Sequence, residues 1–103
     1  MDMDRGKIKF IRWAKQNYLL ISTTLMEQIN ERYENPIAVD IIPDESDRTL
    51  HFIFRTNGRL GILSNGTGGG KKVSFTRGKE LNGFEHKRYY EIDFKRDYMD
   101  MRY

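Results

Sequence analysis

The chain contains no cysteine. Structural disulfides and thiolate metal sites are therefore excluded. Proline is scarce, with only Pro36 and Pro43, so little interrupts regular backbone. No apolar run approaches the roughly 20 residues that a bilayer-spanning helix needs. The first residues are charged and lack an apolar signal core, which leads to the expectation of a cytoplasmic protein with no membrane contact. What is present argues against disorder: 13% of the residues are aromatic, and Ile, Leu and Val are spread along the whole chain. At 103 residues there is room for one domain, 1–103, with one modest core.

The net charge is only +3, but its distribution is uneven. From Arg5 to Met26 the charged residues are all basic: Arg5, Lys7, Lys9, Arg12 and Lys15. From Glu27 to Asp47 they are acidic, with Arg32 the one exception. From Arg48 to Lys79 they are basic again, including Arg55, Arg59, Lys71, Lys72, Arg77 and Lys79. Such segregation either builds a basic face and an acidic face, or is consumed as the blocks pair with each other on folding.

Apolar periodicity gives the elements. Ile8 and Phe10 alternate with Lys7 and Lys9 in a strand over 7–13, and 18–21 is a second short strand. Thr24 with Glu27 fits a capping box, and Leu25, Ile29 and Tyr33 form one helical stripe, so a helix is expected over 24–34, stopped by Asn35-Pro36. Strands follow at 37–41 and 50–55 across a polar turn. Asn57-Gly58 signals a type I′ hairpin that would set Phe54 opposite Gly61 and Ile53 opposite Ile62. Residues 66–70 are a glycine-rich tip, 72–75 a strand, 76–81 a short second helix, and 89–98 one long or two short strands. The expected class is α+β: a small strand-dominated sheet or barrel with one clear helix and a short second one.

Laid over one another, the two halves, about 6–54 and 58–103, match in places. Gly6-Lys7-Ile8 falls on Gly58-Arg59-Leu60, Phe10-Ile11 on Ile62-Leu63 and Ile21-Ser22 on Val73-Ser74; after a one-residue slip, Val39-Asp40-Ile41 falls on Tyr90-Glu91-Ile92. Either the chain is an internal duplication, or alternating strands simply resemble one another. The order of elements over residues 7–54, with Tyr18-Leu19-Leu20-Ile21-Ser22-Thr23-Thr24-Leu25 followed by Val39-Asp40-Ile41-Ile42 and Leu50-His51-Phe52, resembles AbrB-type swapped-hairpin domains of bacterial transition-state regulators. Where that family has Ile-Pro before its helix, this chain has Ile21-Ser22. The resemblance implies a DNA-contacting barrel, dimeric or pseudo-dimeric, with the family's first-strand cations at Lys7, Lys9, Arg12 and Lys15.

No catalytic constellation emerges. A phosphate loop ending at Gly70-Lys71 would need glycine where Asn65 stands and a hydroxyl where Lys72 stands. Pro43-Asp44 with Asp93-Phe94-Lys95 has the outline of a metal-dependent nuclease motif, but the pattern is short and common. His51 and His86 lack metal-ligand spacing and read as surface histidines. Tyr18, Tyr98 and Tyr103 serve either as strand residues or as platforms for bases. The leading expectation is a non-enzymatic regulator, without cofactor, that binds nucleic acid (DNA rather than RNA) through Lys7, Lys9, Arg12, Lys15, Arg55, Arg59, Lys71, Lys72, Arg77 and Lys79, with Lys71 and Lys72 on a loop tip. The alternative is a small inhibitor of a nucleic-acid-processing enzyme, such as a phage anti-CRISPR or other anti-defence protein, using Asp44, Glu45 and Asp47. A homodimer or an oligomerising structural module is the third reading.

Overall fold

Period-2 alternation becomes a strand wherever one face can be buried. In the computed structural model, which describes residues 7–13, 16–64, 70–75 and 84–103, this happens eight times. The strands are β1 (Lys7–Trp13), β2 (Gln16–Ile21), β3 (Ala38–Asp44), β4 (Thr49–Arg55), β5 (Leu60–Ser64), β6 (Lys71–Phe75), β7 (Tyr89–Phe94) and β8 (Met99–Arg102), with one helix, α1 (Thr23–Tyr33), between β2 and β3. All strand pairings among the described residues are antiparallel, and the strands close into a barrel in the order β1-β2-β6-β5-β3-β4-β8-β7. Closure leaves no free sheet edge. The expected α+β class is therefore corrected to a mostly-β closed barrel. The short helix expected at 76–81 lies outside the described residues; among those described, α1 is the one helix.

The barrel order is unchanged when β1, β2, β3 and β4 are exchanged with β5, β6, β7 and β8. The registers obey the same exchange. Ile8 opposite Tyr90 corresponds to Leu60 opposite Val39. Phe10 opposite Leu19 corresponds to Ile62 opposite Val73, and Ile41 opposite Phe52 to Ile92 opposite Met101. Each equivalent position packs into the same core. On β2 the equivalence differs from the alignment of Ile21 with Val73, because Leu19 takes the place of Val73.

The crossover to β5 overturns the hairpin expected at Asn57-Gly58. β5 pairs with β3 and β6, whereas β4 pairs with β3 and β8. Gly58 is needed for a different reason: a Cβ there would stand 2.6 Å from the Val39 nitrogen. The chain passes over β3 where only glycine fits. Asp40 holds this crossing, accepting the Arg59 backbone N–H at 2.8 Å and pairing with the Arg55 guanidinium at 3.5 Å.

The Ser22 hydroxyl caps α1 by accepting the Leu25 N–H at 3.1 Å. The helix ends at Glu34 in the left-handed region (φ 61°). It buries Leu25, Met26 and Ile29. Tyr33 stacks on Phe54 at 5.3 Å, and its hydroxyl donates to the carbonyls of Lys95 and Tyr98, which ties α1 to the β7–β8 turn. At the opposite end, Phe84 packs on Tyr103 at 4.4 Å. Tyr103, just past β8, stands two residues beyond Met101 as Phe54 stands two beyond Phe52 on β4, so an aromatic pair closes each end. No helix among the described residues is long and apolar enough to cross a membrane.

Candidate nucleic-acid interface

With alternate residues committed to the core, the others form the outer wall of the barrel. On β1, β2, β6 and β5 these are Lys7, Lys9, Ile11, Tyr18, Leu20, Lys72, Ser74, Gly61 and Leu63. None of the residues of these four strands is acidic. The carboxylates lie on the other half-barrel: Asp40 and Asp44 on β3, Glu91 and Asp93 on β7, Asp100 on β8. The segregation visible along the chain is thus also a segregation in space.

Four of these five carboxylates are engaged within the acidic half; the fifth, Glu91, is exposed on β7 opposite Lys7 of β1. Asp40 pairs with Arg55, and Asp93 with Arg102. His51 is held between two carboxylates, with Nδ1 2.6 Å from Asp100 and Nε2 3.7 Å from Asp44. On the basic half, Lys7, Lys9, Arg12, Lys71 and Lys72 make no ion pair among the described residues. The lysines lean on aromatic rings instead: Lys9 Nζ lies 5.4 Å from the centre of Tyr89, and Lys72 Nζ 4.9 Å from the centre of Tyr18. One cross-strand row runs Tyr89, Lys9, Leu20, Lys72, Leu63 through β7, β1, β2, β6 and β5. At about 4.8 Å per strand step it is roughly 19 Å long.

The candidate residues separate accordingly. Lys7, Lys9 and Lys72 share the basic wall, and Arg12 is exposed at its end. Lys71 and Lys72 are not on a loop tip. Both belong to β6, where Lys71 opposes Ile21 and Lys72 opposes Leu20, so they point to opposite faces. The adjoining Gly70 is buried, and a Cβ there would stand 2.7 Å from the Ile21 carbonyl oxygen. Arg55 pairs with Asp40 through its guanidinium, whereas Arg59 meets Asp40 only through its backbone N–H, just before β5. Lys15, Arg77 and Lys79 lie outside the described residues. Of the acidic alternative, Glu45 and Asp47 are exposed in the β3–β4 turn, while Asp44 is occupied by His51 and by the Asp47 backbone N–H.

Neither histidine is the lone surface group its sequence context suggests. His86 Nδ1 accepts the Arg12 N–H at 2.9 Å. For His51 the hydrogen bond to Asp100 raises the pKa above the ordinary 6.5, with Asp44 adding to the rise and partial burial opposing it. The charged form is the one the fold favours. Its stabilisation is complete below pH 6.5 and is lost as pH rises through the raised folded value. Urea midpoints of the wild type and His51→Gln are expected to differ most in mildly acidic buffer and to converge in alkaline buffer. A gap that does not change with pH would show that His51 carries no charge in the bridge. The nuclease outline is not assembled, since β4 and β8 separate Asp44 from Asp93, and no group of three or more His, Asp or Glu among the described residues is placed to hold a metal.

Missing from the sequence-derived candidates are Ile11, Leu20, Leu63 and Tyr89. Parity was the signal available for them, because each lies on the solvent phase of its strand. No known family model, curated protein or solved structure matches the chain.

Proposed function

We propose that the protein is a cytoplasmic, non-enzymatic nucleic-acid-binding module whose contact surface is the outer wall of β1-β2-β6-β5. The observation that carries this reading is the contrast between the two half-barrels: Asp40, Asp44, Asp93 and Asp100 are engaged within one, while the cations of the other make no ion pair among the described residues, although Glu91 stands opposite Lys7 at their border. Phosphates would supply that partner. Lys7, Lys9, Lys72 and Arg12 contact the backbone, and Lys71 adds field from the rim. The exchange symmetry of the strands supports an internal duplication, and on this reading the chain resembles an AbrB-type swapped-hairpin domain with both hairpin pairs in one chain. Such a barrel is complete as a monomer.

Fluorescence anisotropy with labelled random oligonucleotides tests this. Log affinity is expected to fall linearly with log salt, with a slope of about −3 for four phosphate contacts at 0.7–0.9 each. Absence of binding to duplex and single strand alike, even at low salt, would sink the reading.

A further inference from the structure

We infer that the nucleic acid recognised by this wall is single-stranded, its bases lying on the apolar and aromatic positions between the lysines. The inference rests on the proposed function and deepens it. The first argument is shape. The Cα atoms span 31 × 30 × 29 Å, and the wall is the convex outside of that barrel. A duplex major groove about 12 Å wide admits a helix or a two-stranded ribbon, not a curved four-stranded surface. Against a duplex, this wall touches the phosphate ridge alone.

The second argument is chemistry. A phosphate ridge is matched by cations and small hydrogen-bonding side chains. Here the positions beside the cations are Tyr89, Leu20 and Leu63 in the central row, and Ile11 and Tyr18 in the next. Leu63 is 50% exposed. Ile11, Leu20 and Leu63 gain nothing from phosphate, and the two tyrosines offer it a hydroxyl but not their rings, whereas an unpaired base offers a π face that stacks on an aromatic ring or covers an alkyl side chain. The cation–ring pairs Lys9–Tyr89 and Lys72–Tyr18 put a phosphate contact and a base contact side by side.

The test compares one labelled mixed-sequence 12-nucleotide single strand with its perfect duplex, titrated into the full chain in the same buffers. The single strand is expected to bind at least about tenfold more tightly at moderate salt. Tyr89→Ala is expected to weaken single-strand binding by about tenfold, with Tyr89→Phe restoring it, and to leave the salt slope unchanged. Equal or tighter binding to the duplex overturns the inference and leaves the proposed function standing. Binding to neither removes both. The wild-type comparison decides the matter even if Tyr89→Ala fails to fold, and single-strand preference with an unaffected Tyr89→Ala removes base stacking at this ring.

Discussion

Replacing Lys7, Lys9 and Lys72 together by glutamine is expected to lower nucleic-acid affinity by two to nearly three decades at about 0.1 M salt. Each phosphate contact contributes about 0.7–0.9 to the slope of log affinity against log salt, so a tenfold dilution from 1 M multiplies affinity by ten raised to that power for each contact. Three contacts therefore account for roughly 100- to 500-fold, and the slope becomes shallower by about 2 to 3. Folding should be barely affected, because these ammonium groups make no ion pair among the described residues and two of them rest on rings at a partly exposed surface. The matched control replaces Asp44, Glu45 and Asp47 by their amides. On the basic-wall reading it leaves affinity intact or raises it slightly. If the acidic set abolishes function and the lysine set does not, the surface at work is the acidic turn, and the protein engages a basic partner.

How far this surface was legible in the sequence depends on the range of the interactions involved. Ile8 and Phe10 alternate with Lys7 and Lys9, and that short-range signal places the lysines outward without further knowledge. The helix was legible for the same reason, although Ser22, not Thr24, caps it, because the Ser22 hydroxyl reaches the Leu25 N–H first. The barrel order was not legible. Asn57-Gly58 carries a strong local hairpin signal, yet β5 leaves β4 and crosses to β3, a pairing decided by burial of Leu60 and Ile62 against the core and by the latch at Asp40. Once β5 joins β3, Lys71 and Lys72 are drawn into β6 between β2 and β5, and a flexible tip becomes a paired strand. His51 shows the same limit. Its partner Asp100 is distant in sequence, so no local pattern announces the pair.

Phe52→Ala is expected to be the most damaging single change to the fold. Phe52 is fully buried, opposite Ile41 on β3 and Met99 on β8, and so stands at one of the four seams where the two halves of the chain meet. A small barrel has no separate core to fall back on, because side chains from its strands fill the interior. Removing the ring deletes its transfer energy and leaves a cavity that flanking strands, fixed by pairing on both sides, cannot collapse to fill. The expected cost is about 3–5 kcal/mol, against a total for such a domain of about 5–15 kcal/mol. With a urea dependence of about 1–3 kcal/mol per molar, the unfolding midpoint should fall by more than about 1 M. Phe52→Leu, which keeps most of the volume, should cost much less. Phe54→Ala is the informative comparison. Phe54 is only partly buried, stacked on Tyr33 at one end of the barrel, so its loss should loosen α1 and cost clearly less than the loss of Phe52. The reverse ranking would place the energetic centre of the fold at the helix-covered end, and would make the docking of α1 a larger contribution than the packing across β4 and β8.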